Sequence, residues 1–382
     1  MQNEHVAYPA RAAATHAATQ APEERYDEAE EIFAGLMKVA RLDEHVCSRP
    51  RSVIFFERAL EEALLTAYGV ETNDDAHVAA AHLFLQRVLY RINRLKFFWY
   101  DDLSNYDNER SSYLRSVRNR IEEQWQEWES AQLNREALRR EDVREGLLRR
   151  AALDVLPIPS DGGLYFRDEA TEAGYRRLLA IVSLDGLVEA SQLSRTLGGV
   201  SNEVHAVMTR LLVEEYGGGR LNRKHSTFFT AMLTELGMRT EPEGYFRLVP
   251  WEVLATINHS FLLSERKRFY LRYVGGLLYT ETSVPAAFDN YRAAAQRLGM
   301  SEAARGYWDL HIKEDERHGR WMLHDVALPL AAKYSNEAWE IMLGYDQQKL
   351  MSARAGASVE RSAREAERAA AANQMPVEEN AA

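Results

Sequence analysis

From Tyr26 to about Arg150, apolar residues recur three and four positions apart, as in Ile54, Phe55, Ala59, Leu60 and Leu64, with glutamates and arginines between them. That spacing puts the apolar set on one stripe of an α-helix and the charges on the other. Alternation of period two, the mark of a strand with one wet face, is almost absent. The stretch LDVLPIPSDGG, residues 153–163, combines two prolines with two glycines and cannot continue a helix, so it marks a boundary. A second helical block follows, from about Tyr165 to Leu350. The expected fold class is all-α, with a helical region over residues 26–155 and a helical bundle over 160–350.

The two ends read differently. Residues 1–25 are Ala-rich, and 351–382 form a charged, Ala-rich tail. Neither offers large apolar residues at a helical period, so neither can offset its ordering entropy by burial. Both are expected to be disordered or frayed, with a loose helix as the alternative for the tail.

Composition narrows the possible functions. Of 382 residues, 46% are hydrophobic, enough for a sizeable core. The formal net charge is −11, and arginines are scattered among glutamates, so no continuous basic face exists for nucleic acid. Without such a face, the aromatics of KFFWYDDLSNYDNER and the Trp125 and Trp128 pair read as core packing or a dimer interface. No apolar stretch approaches the roughly 18 residues that cross a bilayer. The start, MQNEHVAYPARAAATHAATQAP, lacks the cationic and apolar regions of a secretory signal, and the expectation is a cytoplasmic protein with no membrane partner. Cys47 is the single cysteine, which excludes an internal disulfide and a multi-cysteine zinc site and suggests a buried, inert thiol. No Gly-rich phosphate loop, GxSxG elbow or dinucleotide fingerprint occurs, which argues against a self-contained flavin or nicotinamide enzyme.

The candidate chemistry starts at LHIKEDERHGR, residues 310–320. At about 100° per residue, His311, Asp315 and His318 fall within roughly 60° of one another, while Lys313, Glu314, Glu316 and Arg317 point elsewhere. A solvated helix face explains the pattern as well as a metal site does. Three ligands on one helix cannot enclose an ion, and the second block supplies others. Glu189 lies in SLDGLVEAS among apolar neighbours, Glu215 ends a helix in RLLVEEYGGG, His225 follows in RKHSTFF, and Glu281 follows two glycines in GGLLYTETS. Singly, each has a plainer reading: surface residues for the first two (Glu215 like its neighbour Glu214), a turn cap for His225, an arginine partner for Glu281. Together, three histidines and four carboxylates are the donor set of a non-haem di-iron or di-manganese centre, with oxygen donors beside imidazole. Four carboxylates balance two divalent ions, and seven side chains leave coordination positions open for dioxygen or substrate. A ferritin-like bundle would carry two Glu-x-x-His motifs. Here Asp315 to His318 has that spacing, and Asp74 to His77 repeats it in what reads as a helix N-cap. His45, His77, His82, His205, His259 and His324 are left as structural, and Tyr279 as a neighbour of Glu281 without an assigned role.

GLVEAS, EEYGGG followed by KHSTFF, RYVGGLLYTETS and HIKEDERHG together resemble the haem-oxygenase-like di-iron oxidases and oxygenases, and among them the N-oxygenase domains that serve N-nitrosourea formation. The resemblance covers about residues 165–345, and more weakly 26–150, which look like a helical dimerisation region. It implies a haem-oxygenase-like bundle and a homodimer. It assigns Glu215, His225 and His318 to one iron, Glu189, His311 and Asp315 to the other, and Glu281 as a further carboxylate that joins with the second iron. The implied cofactor is two Fe(II)/Fe(III) ions per chain with no haem, dioxygen as co-substrate, and an external reductant or separate reductase. The implied chemistry passes through a peroxo-di-iron(III) species to a nitrogen of a small amine or guanidine, such as an arginine derivative or 2-aminoimidazole, in specialised-metabolite biosynthesis. Such nitrosourea-forming enzymes also carry a C-terminal cupin that rearranges the product; this sequence shows none, so N-oxygenation is the expected end of its work. The alternatives are a di-iron enzyme cleaving a C–C bond of a fatty or amino acid, and a non-catalytic metal-binding helical protein.

Overall fold

The computed structural model describes residues 22–69 and 74–374. Among them every regular element is helical and no strand forms. The chain divides into two compact units, residues 1–125 and 126–382. The stretch 153–163 lies inside the second.

In the first unit, helices α1 (Pro22–Leu36), α2 (Leu42–Cys47), α3 (Arg51–Tyr68) and α4 (Asp75–Arg94) precede α5 (Ser112–Ala131), which runs across the division. Phe33 stacks on Phe56 at 4.6 Å, and Tyr26 on Phe84 at 5.3 Å, so the three-and-four pattern of the sequence becomes an aromatic core. Glu30 is buried among these helices between Arg87 and Arg91. Asp74 caps α4, accepting from the His77 backbone N–H at 3.0 Å, which disposes of the second ferritin-like motif. Cys47 is exposed at the end of the short α2, not buried as its single occurrence suggested.

The second unit holds α6 (Arg135–Arg140), α7 (Val143–Val155), α8 (Asp161–Asp168), α9 (Glu172–Gly186), α10 (Glu203–Glu215), α11 (His225–Glu235), α12 (Trp251–Glu265), α13 (Tyr270–Arg297), α14 (Glu302–Trp321), α15 (Leu328–Lys333) and α16 (Trp339–Gln374). Between α7 and α8 the prolines do end a helix, and Ser160 caps the next by accepting from the Gly163 N–H at 3.1 Å. A π-helical turn, Met322–Ala327, follows α14. At the centre, α13 packs between α14 and α16. Its crossing with α16 is very close: a side chain at Gly275 would collide with the Ile341 carbonyl, and one at Gly344 with the Arg272 carbonyl. Gly276, the other glycine of the pair, has ordinary surroundings. Pro285 lies inside α13 and offers no N–H to the carbonyl of Glu281, four residues earlier. Gly319 of α14 packs against that carbonyl, 3.0 Å from where its own Cβ would stand.

The tail takes the helical alternative, more tightly held than expected. Through residue 374 it is helix, continuous with α16, and Met351, Ser358, Val359 and Ala363 are buried. Small residues let it lie close to α9 and α12, and ion pairs do the rest: Arg354 with Glu129, Arg361 with Glu252 at 3.0 Å, and Glu367 accepting from the Thr171 N–H at 2.7 Å. A search for large apolar residues misses this mode of packing. The expectations for residues 1–21 and 375–382 lie outside the described residues.

Candidate metal centre

Five segments of the second unit deliver the seven donors. Glu189 stands in the turn just past α9, where Ala190 takes the left-handed conformation at φ 60°. Glu215 is the last residue of α10, and Gly217, Gly218 and Gly219, all at positive φ, reverse the chain toward His225, the first residue of α11. Only glycine adopts that run without strain, and at Gly217 a Cβ would also overlap the Arg223 carbonyl. Glu281 lies in the middle of α13. On α14, His311, Asp315 and His318, at 4%, 3% and 0% exposure, continue the buried face that Ala304, Tyr307 and Trp308 begin.

All seven converge. His225 Nδ1 is 2.9 Å from Glu215 Oε2 and 3.1 Å from His311 Nε2, which is 3.0 Å from Glu189 Oε1. His318 Nδ1 lies 3.3 Å from Glu281 Oε2 and 3.5 Å from both Asp315 Oδ1 and Glu215 Oε1. Two groups of donors therefore share Glu215, one oxygen facing each: Glu189, His225 and His311 on one side, Asp315, His318 and Glu281 on the other. This corrects the grouping drawn from the resemblance, which put His225 with His318. At 1.5 Å rise per residue His311 and His318 stand roughly 10 Å apart along α14, and His225 is level with the first.

The matched family sits on these residues. Residues 176–348, from α9 into α16, match the family model described as iron-containing redox enzyme, and they enclose all seven donors. This segment is similar to the iron-containing redox enzymes of that family. Nitrosourea synthase of Streptomyces achromogenes subsp. streptozoticus is 25% identical over 181 residues, 47% of this chain and 38% of that protein. The chain thus matches well under half the length of this curated relative.

Within the matched segment, the donors suit a cation. Glu189 Oε2, Asp315 Oδ1 and His318 Nδ1 are buried without a hydrogen bond, a costly state for groups that nothing else will satisfy. Burial pushes the Glu281 carboxyl up to about 7, despite the neighbouring His318. Burial alone would lower His318, but Asp315 and Glu281 outweigh it and raise the imidazole to about 11. For His311 burial likewise lowers, and Glu189 overrides it, raising the group well above its ordinary value. Clustered acids that hold protons onto imidazoles are a site in which metal cations can take the protons' place.

Each histidine also has an outward contact. His311 Nδ1 faces the Tyr307 carbonyl at 2.8 Å, His318 Nε2 faces Glu214 Oε2 at 3.0 Å, and His225 Nε2 faces Glu314 Oε2 at 3.3 Å. The Tyr307 hydroxyl donates to Glu189 at 2.8 Å. Glu214 and Glu314 were missed in the sequence, where one read as surface and the other as pointing away from the ligand face. The usable signal was adjacency: Glu214 precedes Glu215, and Glu314 lies three residues after His311. Phe229, Phe288, Tyr307 and Trp308 wall the His311 side, with Phe288 5.2 Å from the His311 ring. Tyr279 packs on Tyr345 instead, at 5.3 Å. His259 is fully buried and hydrogen-bonded to Gln126 at 3.2 Å.

Proposed function

We propose that the protein is a non-haem di-iron N-oxygenase that uses dioxygen to oxidise a nitrogen of a small amine or guanidine. The observation that carries the reading is the double cluster of acids and imidazoles sharing Glu215, buried and left with unpartnered donor atoms. Glu189, His225 and His311 would hold one ion and Asp315, His318 and Glu281 the other, with Glu215 between. Two ferrous ions bound there would supply two electrons so that, with two protons, one atom of dioxygen leaves as water and the other bonds to the substrate nitrogen. A small reductant or a separate reductase would return the electrons.

The chain's own contribution is placement and exclusion. Tyr307 fixes Glu189, and the aromatic wall keeps water from the His311 side. Asp185, one helical turn before Glu189, is reached by solvent yet crowded by protein. That crowding, with the Glu189 charge, raises its carboxyl to about 6. A cationic amine or guanidinium relieves such a group where an anion would aggravate it. The likeness to a nitrosourea synthase favours nitrogen over carbon as the oxygen acceptor, because a nitrosourea contains an oxidised nitrogen. We further propose a cytoplasmic homodimer associating through the first helical block; a monomeric mass in solution would refute the dimer.

Anaerobic titration with Fe(II), then rapid mixing with dioxygen under visible absorption, tests the centre. The expected result is two irons per chain and an oxygen-dependent transient that decays faster with an amine or guanidine. Product analysis with arginine derivatives, 2-aminoimidazole and fatty acids separates N-oxygenation from C–C cleavage. Iron uptake with no oxygen-dependent species would leave a metal-binding protein without the proposed activity.

A further inference from the structure

We propose that Glu214 and Glu314 are positioning residues, each accepting the outward N–H of one metal-facing histidine and so fixing which ring nitrogen faces the centre. The inference rests on the two-metal reading above and adds two residues to it. His318 presents Nδ1 to Glu215, Glu281 and Asp315 while its Nε2 faces Glu214 at 3.0 Å. His225 presents Nδ1 to Glu215 and His311 while its Nε2 faces Glu314 at 3.3 Å. An imidazole with one nitrogen committed as donor has the other free as a lone pair, which is the form a metal requires.

The two carboxylates are equally accessible, at 23% each, and differently braced. Glu214 also pairs with Arg317 at 2.5 Å and Arg210 at 3.4 Å. Both guanidiniums lie over the Trp321 ring, itself 5.6 Å from the His318 ring, so acid, arginines and indole form one frame around His318. Glu314 has no ion-pair partner but His225 among the described residues. Glu314 also lies within 4.8 Å of Glu214 and His318, but its ion pair is with His225, whereas at Glu214 the histidine contact must be separated from the arginine contacts by experiment.

The test is Co(II) binding to the full-length chain, followed by equilibrium dialysis and visible absorption, with thermal melting of each metal-free variant to establish that it folds. Wild type should take up two equivalents. Glu314→Ala should weaken one of them about 10–100-fold and Glu214→Ala the other, with the absorption bands changing differently in the two variants. Glu314→Gln and Glu214→Gln keep an acceptor oxygen and should recover most of the loss. Arg317→Ala removes the ion pair but leaves the acceptor, and should bind near wild-type affinity. Wild-type affinity in both alanine variants would overturn the proposal, and an Arg317→Ala loss as large as that of Glu214→Ala would overturn it for Glu214. A wild-type chain that took up no Co(II) would overturn the metal reading itself, a result distinguishable from either.

Discussion

Glu30 in the first unit and Asp315 in the second are both nearly inaccessible, at 1% and 3% exposure, yet their surroundings differ in kind. Glu30 sits between two arginines, Arg87 at 3.2 Å and Arg91 at 2.6 Å, so folding alone neutralises it. Asp315 lies 3.5 Å from His318, and Glu215 and Glu281 likewise face imidazoles, with the Lys224 ammonium adding its charge near Glu215. Histidines show the same division. Those at the centre are raised against the pull of burial by the acids around them, whereas burial, reinforced by the Arg272 charge, lowers His259 to about 3. A buried charge matched within the fold is there for the fold; acids matched chiefly by imidazole await something from outside.

Substitution can break this contrast. The largest effect is expected from Glu215→Ala, which removes an oxygen from both donor groups and should abolish stoichiometric Fe(II) uptake with the fold intact; iron counted per chain after anaerobic reconstitution decides it. Glu30→Ala should do the reverse, costing about 1–3 kcal/mol in denaturant unfolding by removing a buried partner of Arg91 and of Arg87, which keeps Asp27 at 3.2 Å, with iron uptake unchanged. A loss under 1 kcal/mol would mean Arg87 and Arg91 find other partners.

A smaller effect is expected from acid. The folded value of His259, about 3, lies below its ordinary 6.5, so the neutral ring's contribution is complete above pH 6.5 and is lost as pH falls from there toward 3. His259→Gln should flatten the slope of stability against pH in that window by roughly 1 kcal/mol per pH unit. An unchanged slope would place the acid sensitivity elsewhere. The smallest change is Tyr307→Phe, which removes the hydrogen bond to Glu189 and should weaken metal binding roughly fivefold, about 1 kcal/mol.

Much of this was legible before any coordinates. Helical period alone gave the all-α class and set His311, Asp315 and His318 on one face, because 100° per residue is a property of the backbone and not of context. Glu189 stood out as an acid among apolar neighbours, and Glu281 by the two glycines that precede it. Glu214 and Glu314 did not, since their role lies in what faces them from another helix, and no local pattern encodes that. The division of seven donors into two groups failed for the same reason: it depends on the level at which α11 meets α14. The tail packs more tightly than expected because alanine and serine permit close approach while its arginines and glutamates pair with neighbouring helices, which a count of large side chains overlooks.

The crossing of α13 and α16 at Gly275 and Gly344 places a limit on how this protein can change over generations. A methyl group at either glycine meets the backbone of the opposite helix and must push aside the helix that carries Glu281, so neither position can drift and no side-chain change at the other relieves it. Surface loops may diversify freely around such a crossing, while the two backbones in contact keep one inherited spacing for every descendant that still needs the centre.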